Sequence, residues 1–320
     1  MGLFSREAAK IMNFITYKSF FRSLYRSLPF KRPVLSYFKG IGASRWIPTR
    51  LKGYLAFTGP FNVQLETVRF DMLHGYGRGV EATIFWDGVD AFETTTISWW
   101  KELSKRSTYI FDIGANTGIY SLVAKALNTK AEIHAFEPLA RIHAILEANI
   151  ELNNLNVPPA IKAHHMALSD YSGQGKMFDL PIEHMYTATL NRNLHAERGQ
   201  PMESIQEVVA VFRLDDFMKQ QNIEGLDLIK IDVESHEPAV LRGMGEYLRK
   251  FHPSLIIEIW NNEVGIAVEA SLEDCEYLYF ALVTELPERR AHIRNNFPDK
   301  GYINYLVCTQ LIAESLGLTI

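Results

Sequence analysis

From Tyr109 onward the chain alternates short apolar runs with segments of helical period. The runs are Tyr109 to Ile113, Glu132 to Phe136, Ala160 to Ala167, Leu226 to Ile231, Ser254 to Ile259 and Tyr302 to Cys308. Between them the periodicity predicts helices near Thr117 to Leu127, Leu139 to Leu152, Leu214 to Gln221 and Glu237 to Lys250. Such alternation predicts an α/β fold with a doubly wound, mostly parallel sheet, because helices must cover both of its faces. Upstream, residues 61–106 are rich in β-formers and aromatics. They read as a strand-rich cap that closes on a short helix, Thr94 to Leu103, before a main domain at 107–320. Between Ile11 and Leu28, Phe14, Tyr17, Phe21, Leu24, Tyr25 and Leu28 recur mostly at steps of three or four, with Lys18, Arg22 and Arg26 on another face. That pattern predicts a basic amphipathic helix. Pro29, Pro33, Gly40, Gly42 and Pro48 then mark a linker, so residues 1–60 form an N-terminal extension. The stretch Pro181 to Glu207 has no clear period and exceeds ordinary connection lengths, as a functional lid or a disordered loop would.

Composition narrows the class. A hydrophobic content of 47% over 320 residues supports a large buried core. The two cysteines, Cys275 and Cys308, form no CxxC pair, so neither a disulfide framework nor a cysteine-based zinc site is expected. Such usage suits the reducing cytoplasm. The net charge of -4 is unevenly spread: residues 1–60 hold eleven Lys or Arg and a single acid, Glu7, and carry +10, leaving -14 on the remaining 260. An acidic body is a poor match for nucleic acid, whereas the extension suits an anionic membrane surface, reached through residues 1–30. The same aromatic stripe also fits packing onto the body or a second subunit, and no oligomeric state follows from the sequence. No window is apolar enough to span a membrane. Ile11 to Phe21 lacks a cleavage site, and Arg6 stands where a myristoylation signal needs Ser or Thr.

The chemistry concentrates at strand ends. Asp112-Ile113-Gly114-Ala115-Asn116-Thr117-Gly118 follows the first run and precedes a helix, a place where backbone N-H groups and a helix start converge on a ligand. Gly114 and Gly118 permit a tight turn and close backbone approach. A dinucleotide fingerprint would need glycine where Asn116 stands, and no Gly-Lys-Ser/Thr follows for a Walker-type site. A cofactor without pyrophosphate tolerates Asn116, and the acidic Asp112 suits a cationic sulfonium amino acid such as S-adenosylmethionine. Glu137, at the end of the second run, is placed to accept hydrogen bonds from both ribose hydroxyls. Ser169 and Asp170, closing the third run, are placed to meet an adenine amino group.

Together, Phe111 to Gly118, Phe136-Glu137-Pro138, Ala167-Leu168-Ser169-Asp170 and Lys230-Ile231-Asp232-Val233-Glu234-Ser235-His236-Glu237 resemble the FkbM family of methyltransferases, in order and spacing, across roughly residues 80–260. The resemblance implies a class I methyltransferase (Rossmann-like) fold, S-adenosyl-L-methionine as cofactor, and methylation of a hydroxyl on a sugar, glycan or other natural product. Ser235 departs from the glycine common in the family and crowds the backbone there, and residues 1–60 lie outside the resemblance. Methyl transfer from a sulfonium requires the acceptor oxygen to be held near the methyl while its proton leaves. His236 is the candidate general base, Glu234 its orienting partner or that of the acceptor, and Asp232 a neighbour of the cofactor's amino acid end.

A metal-assisted variant would draw on Asp232, Glu258 and Asn261-Asn262. Their spacing is not that of catechol-type enzymes, so no metal is expected. No base-clamping Asn-Pro-Pro-Tyr and no Pro-Cys nucleophile is present, which argues against nucleic acid acceptors. Adjacent His164 and His165 point to opposite faces of a strand and make no zinc site. A nucleotide-cofactor oxidoreductase and an inactive, membrane-tethered scaffold are the alternatives. Asn116 counts against the first, and the intact acids Asp112, Glu137 and Asp232 against the second. The acceptor pocket is expected from residues 61–106, 181–207 and 261–300. Trp86, Trp99, Trp100 and Trp260 are able to stack on a sugar, although burial is the commoner use of such residues.

Overall fold

A computed structural model describes residues 31–40, 43–48, 52, 55, 57–75, 79–179, 190, 205–297 and 301–318. The amphipathic helix expected at 11–28 and most of 181–207 lie outside the described residues. In chain order, α1 (Lys31–Gly40) is followed by a hairpin of β1 (Thr58–Leu65) and β2 (Val68–Gly75), then α2 (Val80–Asp87) and α3 (Thr94–Ser104). Next come β3 (Tyr109–Ile113), α4 (Ile119–Leu127), β4 (Glu132–Phe136), α5 (Ala140–Leu152), β5 (Ile161–His164) and β6 (Ala167–Ser169). They are followed by β7 (Gly173–Asp179), β8 (Ile205–Arg213), α6 (Leu214–Gln220), β9 (Leu228–Ile231), α7 (Glu237–Gly243) and α8 (Tyr247–Phe251). Last are β10 (Ser254–Ile259), α9 (Asn262–Ser271), β11 (Leu278–Ala281), β12 (Glu288–Arg290), β13 (Ile303–Cys308) and α10 (Gln310–Ser315).

The central sheet has the order β12-β11-β13-β10-β9-β3-β4-β5. Strands β5, β4, β3, β9 and β10 run parallel, and β13 is antiparallel to both β10 and β11. This is a class I methyltransferase sheet. Its order reverses between β3 and β9, which opens a crevice at their carboxyl ends. Helices on both faces explain why β9, β10 and β13 are buried at every position instead of alternating. One core lies under α4 and α5 and extends through Trp100 into the hairpin residues Phe61, Leu65 and Met72. The other, on the opposite face, holds Phe111, Phe217, Leu241 and Tyr305. The free edge of β2 is satisfied by α5: Leu73 N-H donates to Asn149 Oδ1 at 2.8 Å, and Asp71 N-H to Asn153 Oδ1 at 2.7 Å.

Several expectations are corrected. The supposed linker contains α1, since Pro33 sits in the first helical turn, where a missing N-H costs little. The run Ala160 to Ala167 is two strands: Met166 N-H turns back to the His164 carbonyl, and the chain passes from the central sheet to a three-stranded one, β6-β8-β7. The helix expected over Glu237 to Lys250 breaks at Gly245, where φ is 56°. Before Tyr109 the expected strands and the short helix at Thr94 are present as β1, β2 and α3, with α2 between them unforeseen. Among the described residues, no helix is long and apolar enough to cross a membrane.

Candidate active site

A cavity of about 340 Å³ opens at the carboxyl ends of β3, β4, β9 and β10. One wall is the turn after β3. Gly114 has φ 83°, and a Cβ there would lie 1.8 Å from the Asp232 carbonyl oxygen, so this turn and the loop after β9 touch backbone to backbone. Asn116 is left-handed at φ 52°, which asparagine tolerates, and its N-H donates to Glu137 Oε2 at 3.1 Å. Glu137 also accepts from Leu139 N-H at 2.9 Å. It is buried at 6% exposure, and burial pushes its carboxyl up to about 7 against the pull of those two bonds. Beside it the lining is apolar: Ile142, Met166, Leu168, Met177 and Leu190.

Gly114, Asn116, Glu137, Asp232, Glu234 and His236 all face this cavity. Asp112, Gly118, Ser169 and Asp170 are not among its lining residues and brace it from behind. Asp112 Oδ2 accepts from Ser121 N-H at 3.0 Å and from Ser121 Oγ-H at 2.6 Å, tying α4 to β3, while burial raises its carboxyl to about 6. Gly118 starts α4 under Leu146. Ser169 Oγ lies 2.9 Å from His236 Nε2. Asp170 pairs with Arg242 at 2.8 Å, which outweighs the upward effect of burial and holds the carboxyl below its usual range.

The loop after β9 is strained, with Glu234 at φ 56° and Ser235 at φ 70°. The family's glycine at this position thus reflects a left-handed backbone, which serine adopts at a cost of roughly 1–2 kcal/mol. Buried Glu237 holds the loop, its Oε1 accepting from Val233 N-H at 3.2 Å and Ser235 N-H at 3.1 Å. Burial, reinforced by Asp232, moves Glu237 up to about 8. Burial lowers the His236 ring below its ordinary value, leaving it neutral at pH 7 and able to take a proton.

Beyond Asp232 the cavity wall includes Glu258 and Trp260, which the sequence offered only as a metal-variant ligand and a sugar-stacking candidate, and also Glu93, Tyr120 and Tyr302 with Lys230 beneath them, which it did not place in the site. Lys230 is fully buried, with Nζ 3.0 Å from Asp232 Oδ2 and 5.1 Å from the centre of the Tyr120 ring. Burial alone would lower its amine, but Asp232, Glu93 and Glu258 outweigh that and keep it charged. A lysine inside an otherwise apolar strand was the available signal. Glu93 precedes α3, and Glu258 ends β10 with its carboxylate bonded to Trp260 Nε1-H. Burial, together with Asp232, pushes Glu258 well above the usual carboxyl range. Trp260 and Tyr302 pack at 5.2 Å and 46° on the same wall. Among the described residues, no three His, Cys, Asp or Glu side chains converge as a metal site.

Residues 112–302, which carry most of this cavity, match the model of the methyltransferase FkbM domain. The chain belongs to this family. Relatives of the FkbM enzyme described here include methyltransferase sdnD of Sordaria araneosa, 29% identical over 193 residues, covering 52% of this chain and 72% of the relative. The 31-O-demethyl-FK506 methyltransferase FkbM of Streptomyces tacrolimicus is 29% identical over 156 residues, covering 42% and 58% respectively. Hexuronic acid methyltransferase AglP of Haloferax volcanii is 25% identical over 158 residues, covering 49% and 58%. The FkbM-family enzyme uses S-adenosylmethionine, and its cavity fits that cofactor. A buried carboxylate, a glycine-tight turn and an apolar slot adjoin, and the described lining residues include no Lys or Arg of the kind a pyrophosphate would require.

Proposed function

We propose that this methyltransferase transfers the methyl group of S-adenosylmethionine to a hydroxyl of a sugar, glycan or other small natural product. The observation that carries the reading is the far end of the cavity, where Glu93 and Glu258 adjoin the rings of Trp260 and Tyr302. Hydrogen-bond acceptors beside an aromatic wall suit a hydroxylated ring. The name of the Streptomyces relative, specifying an oxygen, supports it. The bound cofactor supplies an electrophilic methyl. The chain's own residues would do the rest: Glu137 would accept from the ribose hydroxyls, Asp232 would face the amino acid end, and Glu234 would orient His236 or the acceptor. His236 would take the acceptor hydroxyl's proton on the ring nitrogen that Ser169 leaves open, as the methyl leaves the cofactor's sulfur for the acceptor oxygen. A small-molecule or glycan acceptor, and no nucleic acid, agrees with an acidic body.

Mass spectrometry on a panel of glycosides, polyols, phenols and amines tests the reading. Products gaining one methyl on oxygen support it. Products methylated only on nitrogen or carbon, or a protein that binds neither S-adenosylmethionine nor its demethylated product by calorimetry, refute it.

A further inference from the structure

The cavity wall beyond Asp232 has an organisation of its own. Glu93, outside residues 112–302, is held in a left-handed backbone at φ 42° without capping α3 by its side chain. Its carboxylate instead gathers donors from separate parts of the chain. Oε2 accepts from Tyr120 OH at 2.6 Å and from Asn304 Nδ2-H at 3.2 Å. Oε1 accepts from Tyr302 OH at a longer 3.3 Å. Burial and the adjacent Glu93 charge raise both phenols, so they stay protonated and continue to donate. Strain of this kind in a non-glycine residue at a cavity wall persists where the surroundings over-determine it, and functional sites are where it concentrates.

We propose that Glu93 anchors an acceptor subsite that takes neutral or cationic hydroxylated rings and rejects anionic ones such as uronates. The proposal rests on the hydroxyl-acceptor reading above and adds a charge rule to it. Oε2 accepts from two donors, whereas Oε1 has one partner, at 3.3 Å, and lone-pair capacity for an acceptor hydroxyl. The described lining residues hold five carboxyl groups, of Glu93, Glu137, Asp232, Glu234 and Glu258, and no Lys or Arg. The nearby cation, Lys230, lies beneath the wall and is engaged by Asp232. Among the described lining residues an anionic acceptor would therefore meet no cation and would face Glu93. At an effective dielectric near 20 and a separation of about 5 Å, that repulsion disfavours binding on the order of a hundredfold. A neutral ring meets no such cost and gains Oε1 together with the Trp260 and Tyr302 faces.

The test uses the full chain saturated with S-adenosylhomocysteine and titrated, by ligand-observed NMR, with methyl glucopyranoside, its uronate and its 2-amino-2-deoxy counterpart. The neutral and amino glycosides are expected to bind at least about tenfold more tightly than the uronate. E93Q should narrow that ranking to within about threefold while leaving the affinity for S-adenosylhomocysteine within about threefold, since Gln keeps one oxygen for the Tyr120 and Asn304 donors but removes the charge. A uronate binding as well as the neutral ring, a ranking unchanged in E93Q, or no glycoside binding at all overturns the proposal. Should E93Q fail to bind S-adenosylhomocysteine, the wild-type ranking decides alone. The hydroxyl reading fails separately, by where the transferred methyl is found.

Discussion

Glu137 offers the most quantitative test of the cofactor site. Its carboxyl is buried, accepts two backbone N-H groups and titrates at about 7. Only the ionised form accepts from both ribose hydroxyls, so cofactor affinity follows the ionised fraction, roughly a tenth at pH 6 and nine-tenths at pH 8. The dissociation constant for S-adenosylhomocysteine should therefore fall about tenfold over that interval, equivalent to about 1.4 kcal/mol. The sign for stability is opposite in the cofactor-free protein. A carboxyl raised above its unfolded value contributes stability that is full below the ordinary carboxyl range and lost as pH rises through about 7. Added cofactor product should thus raise the melting temperature more at pH 8 than at pH 6. Calorimetry at half-unit steps measures the first effect and differential scanning fluorimetry the second. Glu237 and Asp112 titrate nearby, at about 8 and about 6, so E137Q is the control. It should weaken binding by about 1.5–3 kcal/mol through lost charge-assisted hydrogen bonds and flatten the slope. A wild-type dissociation constant constant to within a factor of about two, or a slope that survives in E137Q, would refute the reasoning.

Other expectations follow from the same geometry. Gly114→Ala drives a Cβ into the Asp232 carbonyl at 1.8 Å and should abolish measurable cofactor binding in calorimetry; affinity within a few-fold of wild type would show that the two turns can part. Lys230→Met leaves Asp232 and its acidic neighbours without their buried cation and should cost about 3–5 kcal/mol in urea denaturation, against little change if the charge were dispensable. His236→Ala should lower kcat by about 10²–10⁴ on an accepted glycoside while leaving cofactor affinity largely intact, and undiminished turnover would remove it from the mechanism. Deleting residues 1–30 should abolish co-sedimentation with anionic vesicles at low salt, as reversible binding through that basic stretch requires; unchanged pelleting places any contact elsewhere.

The parts of the fold that could be read from the sequence were those with one dominant cause. β3, β4 and β10 are mainly apolar runs between turn residues, and their observed bounds coincide with the predicted ones. β7 and β8 escaped notice because they pair mainly with each other over a small apolar cluster, with Gly173, Gln174 and Lys176 in the first and exposed Val208 in the second. β11 and β12 are three or four residues long, too short for a period to register. In the site, the sequence reading named Asn116, Glu137, Asp232 and His236 because they follow strand ends, and the cavity lies there. Glu93, Tyr120 and Tyr302 meet only through tertiary packing, from positions 27 and 209 residues apart along the chain. No local pattern could have joined them. Asp112 shows the converse, a motif residue whose carboxylate the structure turns toward Ser121 instead of the cavity.

The three-stranded sheet β6-β8-β7 has a consequence for how this enzyme is able to change. Its apolar cluster is small, built on Leu139, Ile142, Ala167, Met177, Val209 and Val211, and it is separate from the two cores that support the central sheet. Met177 and Leu190 nevertheless reach the cavity wall. Residues 180–204, which join β7 to β8, are thus inserted between two strands that pack mainly on this separate cluster. Lengthening, shortening or exchanging that connection is a way to retarget the catalyst while the cofactor cradle is inherited intact, and directed evolution of acceptor range has a natural place to begin there.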